Sequence, residues 1–473
     1  MKQKRREFLK ASSLAGLGIA GLGTIDSNGN DYNNTYQAIR SQVFNMCGYA
    51  APKLEIVRIG FIGLGNRGPG AVARMNMIDG VSIKGLCDIR PEKVNEVKKS
   101  LEGSDHQPDV YTDKEEAWKR LCDRNDIDLI YIATPWALHA PMALYAMNQG
   151  KHVCIEVPAA KTLDECWALV ETSEKTRKHC MILENCCYDF FELLTLNMSR
   201  QGLFGEIVHA EGAYNHDLLK SNFSKATYYD MWRLKENFRN GNLYPTHGLG
   251  PVAQLLDINR GDRMDYLVAT QSNDFSMSTL AKELAAKDTF YKEFANKSYR
   301  GNANVTTIRT EKGKTIMLQH DVSTPNIYSR IHRLSGTKGS AIKYPGPPRI
   351  AFGDEGWIEE EEFKKLEGEY QPPIVKRVGE LAKKVGGHGG MDFLMDWRTI
   401  DCLRNGLALD LDVYDAALWS SIAPLSEVSV ASRSKTTDIP DFTKGAYKVN
   451  KPVDISMQTG GTTKVKLGES AKE

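Results

Sequence analysis

An excess of charge of either sign is missing from this chain, in which 61 Lys and Arg residues stand against 60 Asp and Glu for a formal net charge of +1 at pH 7. That balance supplies no basic face for a phosphate backbone, so nucleic acid is not an expected partner. Long apolar runs are missing as well. The weakly apolar stretch 11–23, rich in Gly and Ala, falls short of the roughly 20 residues a membrane-spanning helix needs, and no other segment qualifies. Cysteine is sparse and odd in number, nine in all, without zinc-like spacing. Cys87, Cys154, Cys166 and Cys180 fall in apolar segments and read as small core residues, and adjacency strains a disulfide between Cys186 and Cys187. With no His-Glu-x-x-His and no paired-Cys motif, no metal is expected. Internal repeats are absent.

What is present is ordinary globular composition, 41% apolar and 26% charged, in 473 residues, enough for two or three domains. The chain starts Lys4-Arg5-Arg6-Glu7-Phe8-Leu9-Lys10 ahead of the apolar run. Residues 1–26 therefore resemble a twin-arginine export signal, which implies the twin-arginine translocation machinery as a partner and a periplasmic location. The alternative is a plain basic N-terminus. No clean Ala-x-Ala site follows, and Cys47 lies far beyond the run, outside any lipobox-like context. Residues 1–26 hold five cations and two anions, so the chain without them carries −2. Polar residues 27–53 read as a linker and polar residues 431–473 as a surface-wrapping or loose tail.

Between them two patterns succeed one another. Over 54–183, short apolar runs alternate with helical periodicity: strands at 56–62, 81–87, 128–133, 152–156 and 180–183, helices at 70–77, 91–101, 138–149 and from Thr162, where Thr162-x-x-Glu165 is a capping box. Such alternation predicts an α/β fold with a doubly wound parallel sheet, a Rossmann domain. Over 184–430 the strands lengthen, at 207–214, 305–309, 315–321 and 327–334, and helices follow at 391–405 and 413–430. This predicts a second α/β domain on a large, mostly antiparallel sheet.

Gly63-Leu64-Gly65-Asn66-Arg67-Gly68 directly follows the first strand and opens a helix. In that context the first glycine permits a tight turn, the second lets backbone N–H groups approach a pyrophosphate, and the third lets helix and strand pack closely. The helix N-terminus turns its positive end to the phosphates. Asp88, twenty residues past Gly68 at the end of the second strand, is placed to accept from ribose hydroxyls and to repel a 2′-phosphate, which favours NAD over NADP. Arg90 complicates that preference, since it suits either a phosphate or stacking on adenine.

Ala133-Thr134-Pro135-Trp136-x-x-His139 and Cys154-Ile155-Glu156-Val157-Pro158 resemble the Gfo/Idh/MocA oxidoreductase superfamily over roughly 54–430. That superfamily usually carries Glu-Lys-Pro where Glu156-Val157-Pro158 stands, and its Asp-x-x-x-His pair is missing from Gly241-Asn242-Leu243-Tyr244-Pro245-Thr246-His247-Gly248. Those departures, with Glu184-Asn185-x-x-Tyr188 and Gly387-His388-Gly389-Gly390-Met391-Asp392, are similar to glycoside hydrolase family 109, whose known activity is α-N-acetylgalactosaminidase. The resemblance implies a retaining glycosidase that holds NAD tightly and recycles it: hydride leaves C3 of the sugar, the acidified C2 proton is removed, the C1 substituent is eliminated, water adds, and hydride returns. Such a cycle is an exception to the two-carboxylate scheme, and no pair of carboxylates stands out in the sequence. It also suits an exported enzyme, which has no soluble NAD pool.

Carried over residue by residue, the resemblance implies cofactor contacts from Trp136, His139, Glu156, Val157 and Asn185 beside Gly63, Gly65, Asn66, Arg67, Gly68 and Asp88. It implies substrate contacts from Tyr214, Arg233, Tyr244, Pro245, Thr246, His247 and Tyr328. His247 is the candidate acid/base group, its alternative a loop-fixing histidine. Tyr188 is the candidate for binding substrate or removing the C2 proton, a task that needs a depressed pKa, its alternative a core tyrosine. His388, among four glycines, suits close approach to either a ligand or a subunit, and the family's sheet domains imply a homodimer. Two other readings share the fold: a sugar or polyol dehydrogenase, and a sugar-sensing protein with a structural dinucleotide.

Overall fold

A computed structural model describes residues 41–466, so the expected export signal lies outside the described residues. The first sheet is wholly parallel and has the strands β1 Val57–Ile62, β2 Val81–Cys87, β3 Asp109–Tyr111, β4 Leu129–Ile132, β5 His152–Ile155 and β6 Cys180–Ile182. Its order is β3-β2-β1-β4-β5-β6. β4, β5 and β6 are buried throughout because helices cover both faces, which is why they read as continuous apolar runs. The order reverses between β1 and β4, opening a crevice at the strands' carboxyl ends. The expected capping box closes the helix Leu163–Thr176: Thr162 Oγ1 accepts from the Glu165 N–H and Glu165 Oε2 from the Thr162 N–H, each at 3.1 Å. β3 and the helix Ala117–Cys122 were not expected. The former is a three-residue, largely exposed edge strand, too short and too polar to show a period.

The second sheet has the strands β7 Ile207–Asn215, β8 Met264–Gln271, β9 Ala303–Thr310, β10 Thr315–Asp321, β11 His332–Gly336, β12 Gly339–Lys343, β13 Arg349–Phe352 and β14 Thr437–Asp438. They run in the order β13-β12-β11-β7-β10-β9-β8-β14, antiparallel except for the central pair β7 and β10. The expected strand at 327–334 starts only at His332, because Ile331 turns the chain through a positive φ of 43°. The helix Thr246–Leu255 lies directly on β7, backbone to backbone. A Cβ on Gly212 would collide with the Gly248 carbonyl, and one on Gly248 with the Ala213 N–H.

The helix Val413–Ala431 joins the two sheets. It is buried along most of its length, and its serines face backbone N–H groups that would otherwise be orphaned in the core. Ser420 Oγ accepts from the Ala159 N–H beyond β5, whereas Ser426 and Ser429 accept from the Asn242 and Ala269 N–H groups on the other side. Of the expected linker, residues 41–53 are packed rather than loose: Met46 is buried, and its N–H donates to the Tyr414 hydroxyl. The polar tail wraps the body, with β14 extending the second sheet, Phe442 against Trp167 and Val465 bridged to Ile78.

Two consequences are measurable. Replacing Gly248 by Ala forces a methyl group against β7, and overpacking of this kind costs about 1–3 kcal/mol. Urea unfolding of Gly248→Ala is expected to show that loss, and an unchanged midpoint contradicts the contact. The second concerns His152 and His179, buried side by side with ring centroids 5.1 Å apart. Burial, with Lys178 adding to it, pushes His179 down to about 4, and burial with His179 and Lys178 pushes His152 well below its ordinary value. Unfolded histidines bind protons near pH 6.5 while these folded ones do not. Stability is therefore fully present above pH 6.5 and is lost as pH falls from there towards about 4. A melting midpoint that stays flat from pH 7 to 5 refutes this.

Candidate active site

The glycine loop has the shape its sequence predicts. Gly63 has φ +92°, and a Cβ there would lie 2.5 Å from the Ala133 carbonyl. A Cβ on Gly68 would strike the Gly63 carbonyl. Gly65 differs: the nearest atom to its missing Cβ is the Arg90 Nη2 at 3.1 Å, the end of a flexible side chain, so the loop's outer side is open where a pyrophosphate approaches. Asp88, at the end of β2, ties this loop down, accepting from the Leu64 N–H at 2.8 Å and from the Arg90 N–H at 2.9 Å and Nε at 3.1 Å. Arg90 is thereby held over the Tyr229 ring, 5.1 Å from its centroid. The Asn66 side chain donates across the cleft to the Thr227 carbonyl. Open space beside Gly65, a carboxylate at the β2 terminus and the helix Gly68–Asn76 behind the loop fit a dinucleotide.

A network of buried charge joins the loop to the rest of the molecule. Arg67 donates through Nε to Glu156 Oε1 at 3.0 Å and through Nη1 to Asp392 Oδ2 at 3.2 Å. Asp392, at the start of the helix Met391–Asn405, also accepts from the Asn185 amide, lies 2.9 Å from His388 Nδ1 and sits 3.5 Å from the Arg74 Nη1. Burial opposes its charge, but the His388 hydrogen bond and the Arg67 and Arg74 guanidiniums outweigh that and hold its carboxyl well below the usual range. Arg67 and Asn185, both predicted site residues, therefore meet at one carboxylate within the Gly387–Asp392 motif, and Glu156 joins them through Arg67. His388 half-emerges here on a chain with φ +46°.

Two predicted cofactor contacts fall elsewhere. The His139 ring is 1% exposed and spans two carbonyl oxygens, Pro158 O at 2.7 Å and Thr134 O at 2.8 Å, so it staples the loops after β4 and β5 rather than facing the cleft. Val157 is likewise buried, next to that staple.

Across the crevice the expected substrate residues come together, and Trp136, expected as a cofactor contact, packs among them. Trp136 stacks on Tyr244 with centroids 5.5 Å apart; Tyr244 lies 4.6 Å from Tyr214 and, edge-on, 4.8 Å from His247; Tyr214 meets Tyr328 at 6.3 Å. The Arg233 guanidinium sits over the Tyr244, Trp136 and Tyr228 rings at 5.1 to 5.5 Å. Pro245 and the fully buried Thr246 start the helix that carries His247. His247 Nδ1 is 2.7 Å from Glu184 Oε1. Glu184 is 0% exposed; burial favours its neutral form, yet His247 and hydrogen bonds hold its carboxyl below the ordinary value. The pair fixes the imidazole with its proton on Nδ1 and leaves Nε2 free to take another. Glu184 was quoted in a motif and not assigned a role. A hydrophobic run ending in Glu, one strand after Glu156, was the available signal.

Glu184, Cys186 and His247 place donor atoms within 4.8 Å of one another. Two ligands on one zinc at 2.0–2.1 Å in tetrahedral geometry stand about 3.3 Å apart. The 2.7 Å Glu184–His247 separation is that of a hydrogen bond.

Tyr188 does not join this group. Its side chain is buried, its hydroxyl donates to Asp410 Oδ2 at 3.2 Å, and burial together with Asp410 pushes its pKa well above the ordinary value, opposite to what a base requires. The core alternative describes it. All nine cysteines are free, eight of them buried.

Comparison with known proteins agrees with this division. Residues 57–184 match the oxidoreductase family with NAD-binding Rossmann fold, and residues 188–449 match the glycosyl hydrolase 109 C-terminal domain. Glycosyl hydrolase family 109 protein 1 of Bacteroides fragilis is 50% identical over 421 residues, 85% of this chain and 89% of that one. An alpha-N-acetylgalactosaminidase of Bacteroides fragilis is 50% identical over 410 residues, 85% of this chain and 96% of that one. Among solved structures, an oxidoreductase domain protein from Kribbella flavida aligns with TM-score 0.61 and 17% identity, covering 81% of this chain and 99% of that one. Levoglucosan dehydrogenase in complex with NADH and levoglucosan aligns with TM-score 0.59 and 19% identity over the same shares. The structural likenesses speak for the fold alone; the sequence matches place the chain in glycosyl hydrolase family 109, as a glycosidase built on an NAD-binding oxidoreductase fold.

Proposed function

We propose that this protein is a retaining glycosidase acting on terminal α-linked N-acetylgalactosamine, with a tightly held NAD that each turnover regenerates. The observation that carries this reading is the Glu184–His247 pair set among Trp136, Tyr214, Tyr244 and Arg233, across the crevice from the open glycine loop. The relative named alpha-N-acetylgalactosaminidase supports the choice of sugar.

In this reading Gly63, Gly65, Arg67, Gly68 and Asp88 hold the dinucleotide and Glu156 orients its nicotinamide end. When bound, NAD⁺ supplies reversible removal of hydride at sugar C3, which acidifies the neighbouring C2–H and allows the C1 substituent to leave by elimination before water adds. The protein supplies binding and proton transfer. The Tyr214, Tyr244 and Tyr328 rings pack on the sugar, with Trp136 supporting Tyr244 from behind, and Arg233 gives it oriented donors. His247 Nε2 is the group that takes and returns a proton, while Glu184, hydrogen-bonded to Nδ1, stabilises the imidazolium that forms. Val157 stands where the wider superfamily has a proton-carrying lysine, so its side chain moves no proton, and Tyr188 is committed to Asp410. Export through the twin-arginine pathway, which carries folded proteins, lets the cofactor travel bound to the periplasm.

Three measurements test the proposal. Glycoside cleaved in D₂O is expected to release sugar with deuterium at C2, without added NAD; retained protium throughout removes the elimination step. Removing an acid/base group costs about 10²–10⁴-fold in rate, which is the loss expected in kcat for His247→Ala. Glu184→Gln keeps the shape of the pair but not its charge, and is expected to lower kcat by at least tenfold, change the pH–rate profile and leave KM nearly unaltered. A Glu184→Gln enzyme with wild-type kcat at every pH contradicts the assignment.

A further inference from the structure

Behind Tyr214 the inner face of the second sheet carries a closed layer of polar atoms with nothing to bind. Strand register sets Tyr214 on β7, His320 on β10 and Asn304 on β9 side by side, and the His320 ring stacks against the Tyr214 ring with centroids 6.3 Å apart. Arg300 enters this layer from the segment ahead of β9. Its Nη2 donates to the His320 and Asn302 carbonyl oxygens, each at 3.1 Å. Its backbone N–H donates to the Asn237 carbonyl, and the Asn237 amide in turn donates to the Arg233 carbonyl, so the two arginines are tied to one turn.

Arg300 is 1% exposed, yet among the described residues its Nε and Nη1 have no partner; His320 Nδ1 and Asn304 Nδ2, also buried, have none there either. Among the described residues no carboxylate pairs with Arg300. Asp321 and Asp274, which act on it at longer range, are committed to their own loops: Asp321 accepts from Ser323, Thr324 and Asn326, and Asp274 from the N–H groups of Ser276, Met277 and Ser278. Burial pushes Arg300 down to about 10, and burial, with Arg300 and Arg233 nearby, keeps His320 neutral.

Burying a guanidinium with free donors and no counter-charge is costly, and proteins resolve that cost with a charge of opposite sign. Water satisfies donors but leaves the charge standing. A layer closed to solvent selects a monatomic anion over a phosphate or sulfate. We propose that Arg300, His320 and Asn304 bind a halide ion, chloride under physiological conditions, in the wall behind Tyr214.

The test uses the full chain. Crystals grown without halide and soaked in sodium bromide are expected to show an anomalous peak touching the Arg300 guanidinium. In solution, exchanging sodium gluconate for sodium chloride at constant ionic strength is expected to raise the melting midpoint saturably, as for any ligand that binds only the folded state. Arg300→Gln is expected to abolish that rise; where this variant fails to fold, Asn304→Ala is expected to weaken the chloride dependence. An ordered water at Arg300 with no bromide signal, bromide at surface sites only, or equal midpoints in gluconate and chloride each overturns the proposal.

Discussion

A carboxylate taken out of water must find cations and donors or give up its charge, and Asp392 is held under that constraint at the point where the two sheets' domains meet. It draws in Arg67 from the glycine loop, Arg74 from the first helix, Asn185 from the turn after β6 and His388 from the glycine-rich bend. They come from three stretches of chain, since Arg67 caps the helix that carries Arg74. The helix Met391–Asn405, by presenting Asp392, adds to the hold that Asp88 already has on the glycine loop. Arg67 passes the same constraint on to Glu156 at the end of β5, so the glycine loop and the carboxyl end of β5 are held by one ionic junction.

On the other wall the constraint is steric. Two glycines, Gly212 and Gly248, let a helix rest on a strand at backbone distance, and the residue before Gly248 is His247. The imidazole consequently reaches Glu184 and the Tyr214 and Tyr244 rings at once. Larger residues at either glycine would lift the helix and separate His247 from Glu184. Position here comes from what is missing from the side chains as much as from what they carry.

Much of this was legible in the chain because local rules coincide with global ones. The glycine loop, the capping box at Thr162 and the strand at Val81–Cys87 declare themselves through turn chemistry and periodicity. Tyr214, Arg233, Tyr244 and His247 were placed together by resemblance. What failed were contacts made across long sequence distances. Nothing near Tyr188 announces that Asp410, 222 residues later, takes its hydroxyl. His139 looked like a cleft residue because its motif ends a strand, but two carbonyl oxygens in neighbouring loops claim both ring nitrogens. Glu184 and Asp392 were overlooked for the converse reason, since a carboxylate in an apolar sequence context reveals its partner only when the fold brings it.

These errors sharpen the functional argument. With Tyr188 engaged by Asp410 and valine at 157, the aromatic wall of the crevice presents two imidazoles, His247 held by Glu184 and His216 between Tyr214 and Tyr328, beside rings whose hydroxyls burial makes poor acids: Tyr214 and Tyr244 are both pushed above the ordinary tyrosine value by burial first. The wider superfamily usually carries a lysine that moves the hydroxyl proton at the place where this chain has Val157. A cycle that returns its hydride also returns its protons, and on the proposed reading His247 takes up and gives back one of the two that leave the sugar, from the C3 hydroxyl and from C2. Glu184, buried and held below its ordinary value by His247 and its hydrogen bonds, is what such a base needs, because its negative charge stabilises the imidazolium for as long as the proton is held.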